Sequence, residues 1–178
     1  MRFLLIAILA IGLSGCWTGL NLYRPSDARP AIPAGVYIAG EPKGPQRAYR
    51  VTALANGMTE FHGQEDKDQV YGFAPLGPSG LFVAWWEIEP GSDGRPTDND
   101  ENQMYALMVR RRDGSFRIYA PACTDEGAKI ARKYGAAVEG GASPTCRFAN
   151  RASLEASLRK LPRNEADALD LVPVGPTG

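Results

Sequence analysis

The chain is short of histidine, cysteine and net charge. One His and three Cys occur among 178 residues, and 20 basic side chains are balanced by 20 acidic ones. Zero net charge leaves no electrostatic footprint for nucleic acid. A single imidazole excludes HExxH and multi-His zinc spacings, and no GxSxG elbow supplies a nucleophile for His62 to serve. His62, beside Phe61 at a strand end, therefore reads as structural or exposed rather than catalytic. Long apolar runs are scarce too: there is one, at the N-terminus. What the chain has in quantity is turn formers, 20 Gly and 14 Pro, on an ordinary background of 44% hydrophobic and 22% charged residues. A chain of this length folds as one domain and buries roughly two thirds of its unfolded surface.

The one apolar run has the anatomy of an export signal. Arg2 is the positive n-region, Phe3 to Leu13 is the apolar h-region, and Ser14 and Gly15 are small. A spanning helix needs about 20 mostly apolar residues, and Ser14, Gly15, Thr18, Gly19 and Asn21 dilute this stretch after Leu13. The quartet Leu13-Ser14-Gly15-Cys16 resembles the lipobox of bacterial lipoproteins. That resemblance implies cleavage before Cys16, a diacylglycerol on its thiol, an N-acyl chain on its amine, and a firmly held membrane anchor. Trp17 stands where inner-membrane lipoproteins tend to carry Asp, so the implied location is the outer membrane, facing the periplasm. The Cys146-Arg147-Phe148 run, the Asn-capped leucine helix and the VPVG ending are also similar to envelope lipoproteins of Gram-negative bacteria, a resemblance that implies no activity.

The expected domain plan is a signal peptide at 1–15, a lipid anchor and Pro-rich tether at 16–35, one α+β domain at 36–174, and a loose tail at 175–178. Pro25, Pro30 and Pro33 leave two arrangements open for the tether: extended, on the order of 40 Å long, or flat along the domain.

The body reads as an antiparallel β-rich unit followed by two helices. Residues 48–63 are strand, turn at Asn56-Gly57, strand. Residues 70–76 form a further strand. Over 80–89, Phe82, Ala84, Trp86 and Ile88 share a core face, leaving Val83, Trp85, Glu87 and Glu89 on a partly buried one. Residues 105–120 form a second hairpin turning at Asp113-Gly114. A short helix is expected over 125–135, with Ile130 and Tyr134 inward, and a clearer one over 150–162, capped by Asn150 and carrying Leu154, Leu158 and Leu161 inward. ADALDLVPV supplies a turn and a final strand.

With Cys16 assigned to the anchor, Cys123 and Cys146 remain as an even pair in an oxidising compartment, and a disulfide is the default. It closes a loop of about twenty residues, worth ~3 kcal/mol on the chain-entropy estimate. No metal site and no cofactor beyond the covalent lipid is expected. Calcium in the acidic loop 90–103 lacks motif support, because its Asp93, Asp98, Asp100 and Glu101 depart from the EF-hand spacing. Arg110, Arg111 and Arg112 are split between strand faces.

Three functional classes follow. The first is a non-catalytic, membrane-anchored lipoprotein of the envelope, with an accessory, scaffold or binding role. The second is a small-ligand or glycan-binding module using Trp85 and Glu87, since aromatic and carboxylate neighbours suit such clefts. The third, a hydrolase using Glu87 and Glu89 about 7 Å apart, rests on a spacing that any two alternate strand residues share. The expected partners are the membrane and an envelope protein or glycan, with no nucleic acid.

Overall fold

The structure is a computed structural model that describes residues 16–42, 44–63, 67–77, 80–88, 103–140, 144–163 and 168–175. The signal segment 1–15 and the acidic loop up to residue 102 lie outside the described residues, and with them the expectations placed there.

The described strands are β1 (Trp17–Gly19), β2 (Gly35–Gly40), β3 (Gln46–Ala53), β4 (Thr59–Gly63), β5 (Gln69–Pro75), β6 (Leu81–Glu87), β7 (Gln103–Arg110), β8 (Phe116–Tyr119), β9 (Ala137–Glu139), β10 (Thr145–Phe148) and β11 (Ala168–Pro173). The helices are α1 (Asp125–Lys133) and α2 (Arg151–Lys160), and a 3-10 turn covers Pro25–Asp27. This is the β-rich α+β chain the sequence predicts, with a more specific architecture. Strands β2 to β8 form an antiparallel meander, and β11 closes it by pairing with both β8 and β2, giving an eight-stranded barrel. The helices are thus inserted before the closing strand. Strand β1 adds to the start of β7 and runs parallel to β10, which carries β9.

Local chemistry explains the hairpins. Strand β3 turns into β4 through Leu54–Met58, where Gly57 takes φ +83° and Asn56 Oδ1 accepts from Met58 N at 3.1 Å. The β7–β8 turn places Gly114 at φ +82°, and Asp113 Oδ1 accepts from Ser115 N at 2.9 Å. Only glycine adopts these angles without strain. Helix α2 begins where expected: Asn150 Oδ1 accepts from Ser153 N at 2.9 Å, and Leu154 and Leu158 are fully buried. Helix α1 differs in detail. Ala128 and Ala131 form its buried face, with Ile130 and Tyr134 only half-buried, because the helix lies close enough to its neighbours that alanine fills the gap.

Two cores result, one on each side of the barrel wall. Inside are Tyr37, Ala39, Val51, Phe61, Phe73, Ala84, Ala106, Met108, Phe116 and Leu171. Outside, Ala74, Val83, Trp85, Tyr105, Leu107 and Tyr119 pack beneath the N-terminal segment, α1, α2 and β10. The wall strands β6 and β7 are therefore covered on both faces, as in the middle layer of any three-layer packing.

Of the two arrangements left open for the segment 16–35, the structure has the flat one. Trp17, Tyr23 and Ile32 are each 1% exposed. Tyr23 stacks on Trp85 with ring centroids 4.9 Å apart. Its backbone N–H donates to Gln103 Oε1 at 3.2 Å, and its carbonyl accepts from Gln103 Nε2 at 2.8 Å. Arg151 lies 4.2 Å over the Tyr23 ring and also bonds Asp27 and Glu155. The prolines shape a strap that lies flat. Aromatic and aliphatic residues between them anchor it, and a count of prolines does not reveal that.

The Cys123–Cys146 disulfide is present, with Cα atoms 5.3 Å apart and both residues buried. It ties the chain entering α1 to strand β10 beneath the outer core.

Candidate functional site

Alternation along the barrel strands sends every second side chain into the lumen. On one arc these are aromatic: Tyr49 of β3, Phe61 of β4, Tyr71 and Phe73 of β5, and Trp86 of β6. Phe61 and Trp86 sit edge-on to Tyr71 at 5.3 and 5.5 Å, and Tyr49 meets Phe61 at 6.4 Å. Other wall positions carry Ala39, Ala84 and Ala106, with Ile118, Leu169 and Leu171. A cavity of about 150 Å³ lies against these alanines and aromatic rings, with Trp17, Met104 and Tyr105 also in its wall.

Strand direction defines two ends. Gly40, Gln46, Gly63, Gln69, Glu87, Gln103, Tyr119 and Ala168 lie at one of them, because each begins or ends its strand there in the observed register. The cavity is displaced toward that end: Cys16, Ala120, Pro121 and Ala122 complete its wall, and Tyr49, Gln69, Tyr71 and Trp86 are only half-buried. The opposite end is filled. Ala31 and Ile32 of the strap join the inner core there, and Tyr37 Oη donates to the Pro33 carbonyl at 2.9 Å.

The polar groups of the cavity gather near its mouth. Tyr71 Oη donates to Gln69 Oε1, and the Tyr49 hydroxyl belongs to the same wall. Burial pushes the Tyr71 hydroxyl well above the usual tyrosine range, with Tyr49 adding to the effect, so it remains a neutral donor. Among the described residues no Asp, Glu, Lys, Arg or His lines the cavity. The arrangement offers hydrogen bonds and aromatic faces, and it can hold an apolar molecule.

Trp85 and Glu87 do not form a site. Trp85, placed by alternation on a partly buried face and offered only as an alternative ligand contact, is 1% exposed on the outer side of the wall, where it covers Gly72 so closely that a Cβ there would fall 2.0 Å from its ring. Its neighbour Trp86, expected in the core, faces the cavity. The period-two pattern identifies the two faces correctly, but which face is sealed depends on Tyr23, far away in sequence. Glu87 is exposed at the strand end, outside the cavity wall. Glu89 lies outside the described residues.

Cys16 is half-buried, and burial raises its thiol above the ordinary range. His62 sits on the outer face of β4 between two carboxylates, Nε2 3.1 Å from Glu60 and Nδ1 2.9 Å from Asp68. Those three side chains are close enough to share a cation, a juxtaposition that no spacing motif signals because Asp68 arrives from the next loop. The cluster lies at the surface, where acidic groups commonly gather without an ion. Of the arginine run, Arg111 approaches Asp170 at 3.7 Å, while Arg110 and Arg112 are exposed.

No family model, curated protein or solved structure matches the chain.

Proposed function

We propose that the chain is a membrane-anchored binding protein of the cell envelope, holding one small, ring-sized apolar ligand in the barrel lumen. The observation that carries this reading is the hollow itself. An eight-stranded barrel is just wide enough to be filled by side chains or to hold one small ligand, and here three alanines favour the second outcome. A cavity near 150 Å³ with an apolar lining accommodates a molecule the size of benzene. Tyr49, Gln69 and Tyr71 sit where they can hydrogen-bond a hydroxyl or carbonyl at the ligand's outer end. The lipobox resemblance at Cys16 supports the anchor and the export, and Trp17 in place of an Asp after it supports the outer-membrane location facing the periplasm. Compared with a pure scaffold, the binding reading accounts for aromatic side chains arranged around empty space, since voids cost stability. Among the described residues the lumen offers hydrogen bonds without acids or bases, which suits retention of a ligand rather than its conversion.

The test is a titration with 4-fluorophenol followed by ¹⁹F NMR. Saturable binding with Kd on the order of 1 mM, about −4 kcal/mol, suits a ligand this small. Ala84→Phe, which fills the lumen, should abolish the binding while the thermal transition stays cooperative. Binding that survives Ala84→Phe would place the ligand elsewhere and refute the reading. Anchoring is checked separately: Cys16→Ser should leave an uncut precursor and end globomycin-sensitive processing.

A further inference from the structure

The wall of the cavity includes Cys16 itself. Its backbone pairs with Ala122, its carbonyl accepts from Cys146 N at 3.1 Å, and the next residue, Trp17, is buried at the start of β1. Residue 16 is therefore built into the sheet. The proline-containing strap that follows runs back along the barrel and helps to fill its far end, so it provides no slack. A lipid attached at Cys16 leaves no flexible residues between the bilayer and the barrel, and the attachment point lies at the mouth of the lumen.

We infer that the lumen takes its ligand directly from the bilayer: the anchor holds the mouth against the membrane surface, and the ligand is a small ring-bearing apolar molecule dissolved in the membrane. This rests on the reading of the lumen as a binding site and of Cys16 as the lipidated residue. Three observations favour the membrane over water as the source. The lining is almost wholly apolar, so its ligand partitions into hydrocarbon. The far end is closed by Ala31, Ile32 and Tyr37, so among the described residues the access lies beside the anchor. A void of about 150 Å³ holds a six-carbon ring, which makes it too small for a whole acyl chain of the anchor to occupy.

The experiment uses the lipidated full-length protein, isolated from its own envelope and reconstituted in phosphatidylethanolamine–phosphatidylglycerol vesicles loaded with hexafluorobenzene. Saturation transfer between the bilayer and lumen ¹⁹F resonances reports exchange. A variant carries ten Gly/Ser residues between Cys16 and Trp17, ending in a serine that takes over the cysteine's backbone position. Such an insert has a root-mean-square span of about 16–19 Å and releases the mouth from the surface. The transfer rate, normalised to each protein's own affinity for 4-fluorophenol in water, should fall about fivefold or more. In parallel, a gadolinium-headgroup lipid should broaden the amides of Gly63, Met104 and Ala122 at the mouth and spare Gly57, Gly80 and Gly114 at the far end. Equal broadening at both ends, or a transfer rate indifferent to the insert, overturns the inference and leaves lumen binding standing. Absence of 4-fluorophenol binding in both proteins overturns the lumen reading. Absence of lipid on Cys16 by mass spectrometry overturns the anchor and this inference together.

Discussion

The two cores of this barrel are made of similar residues and packed in opposite ways. The outer core is tight: Trp85 occupies the space over Gly72, Tyr23 stacks on its other side, and a Cβ on Gly19 would fall 2.6 Å from the Phe148 carbonyl. The inner core keeps a void among equally large aromatics. A barrel wall thus holds its shape from outside, by the strap, the helices and the disulfide, and the lumen is free to stay hollow. Substitutions should separate the two cores cleanly, and the expected effects can be ordered by size.

Among truncations, one in the tight core has the largest effect. Trp85→Ala removes a fully buried indole between Tyr23 and Gly72 and should cost about 3–5 kcal/mol in chemical denaturation. A loss below about 1 kcal/mol would mean that the outer core is not what holds the wall. Removing the bridge comes next: Cys123→Ala with Cys146→Ala should cost about 2–5 kcal/mol, matched by reduction of the native protein with dithiothreitol.

The contrast sharpens in the lumen. Ala106→Leu adds volume where space exists, so stability should change by less than about 1.5 kcal/mol, while ligand binding is lost. The same enlargement at Gly72 should unfold the outer layer. Equal penalties at Ala106 and Gly72 would show that the lumen is as filled as the exterior.

Acid should act on the seam that closes the barrel. Asp170 of β11 accepts from Arg117 of β8 at 2.5 and 2.6 Å. The Arg117 hydrogen bonds hold its carboxyl below the ordinary range despite burial. A carboxyl whose folded value is depressed stabilises fully above its unfolded pKa, near 4, and that contribution disappears as pH falls through the lower folded value. Stability should therefore drop on acidification below about pH 4, and Asp170→Asn should flatten the drop while costing roughly 1–3 kcal/mol at neutral pH. The smallest effect lies on the helix surface: Arg159→Ala, which removes an i,i+4 pair with Glu155 at 3.1 Å, should cost about 0.3–0.5 kcal/mol.

What the sequence made legible was local or countable. The Asn56-Gly57 and Asp113-Gly114 turns announce themselves, as do the Asn150 cap and the leucines of α2. Setting Cys16 aside reduces the cysteines to one pair, the pair that the structure joins. The rest depends on long-range partners. Nothing near Asp170 signals that β11 also pairs with Gly40 of β2 to close the barrel. The strap was readable as flat or extended, and Tyr23 decides for flat by filling the surface beside Trp85. The same contact fully buries Trp85, which removes it as the alternative ligand contact, and it leaves Trp86 to face the cavity. A cavity is the least legible feature of all, since Ala39, Ala84 and Ala106 are unremarkable alanines until three separate strands bring them around one void.

The central claim is that this void holds a ligand, and intermolecular ¹⁹F–¹H Overhauser contacts from bound 4-fluorophenol test it most directly. The account predicts contacts from the ring to the methyl groups of Ala84, Ala106 and Leu171, and none to those of Val83 or Leu107 across the wall. Saturable binding with contacts only outside the lumen, or no saturable binding at all, would contradict it.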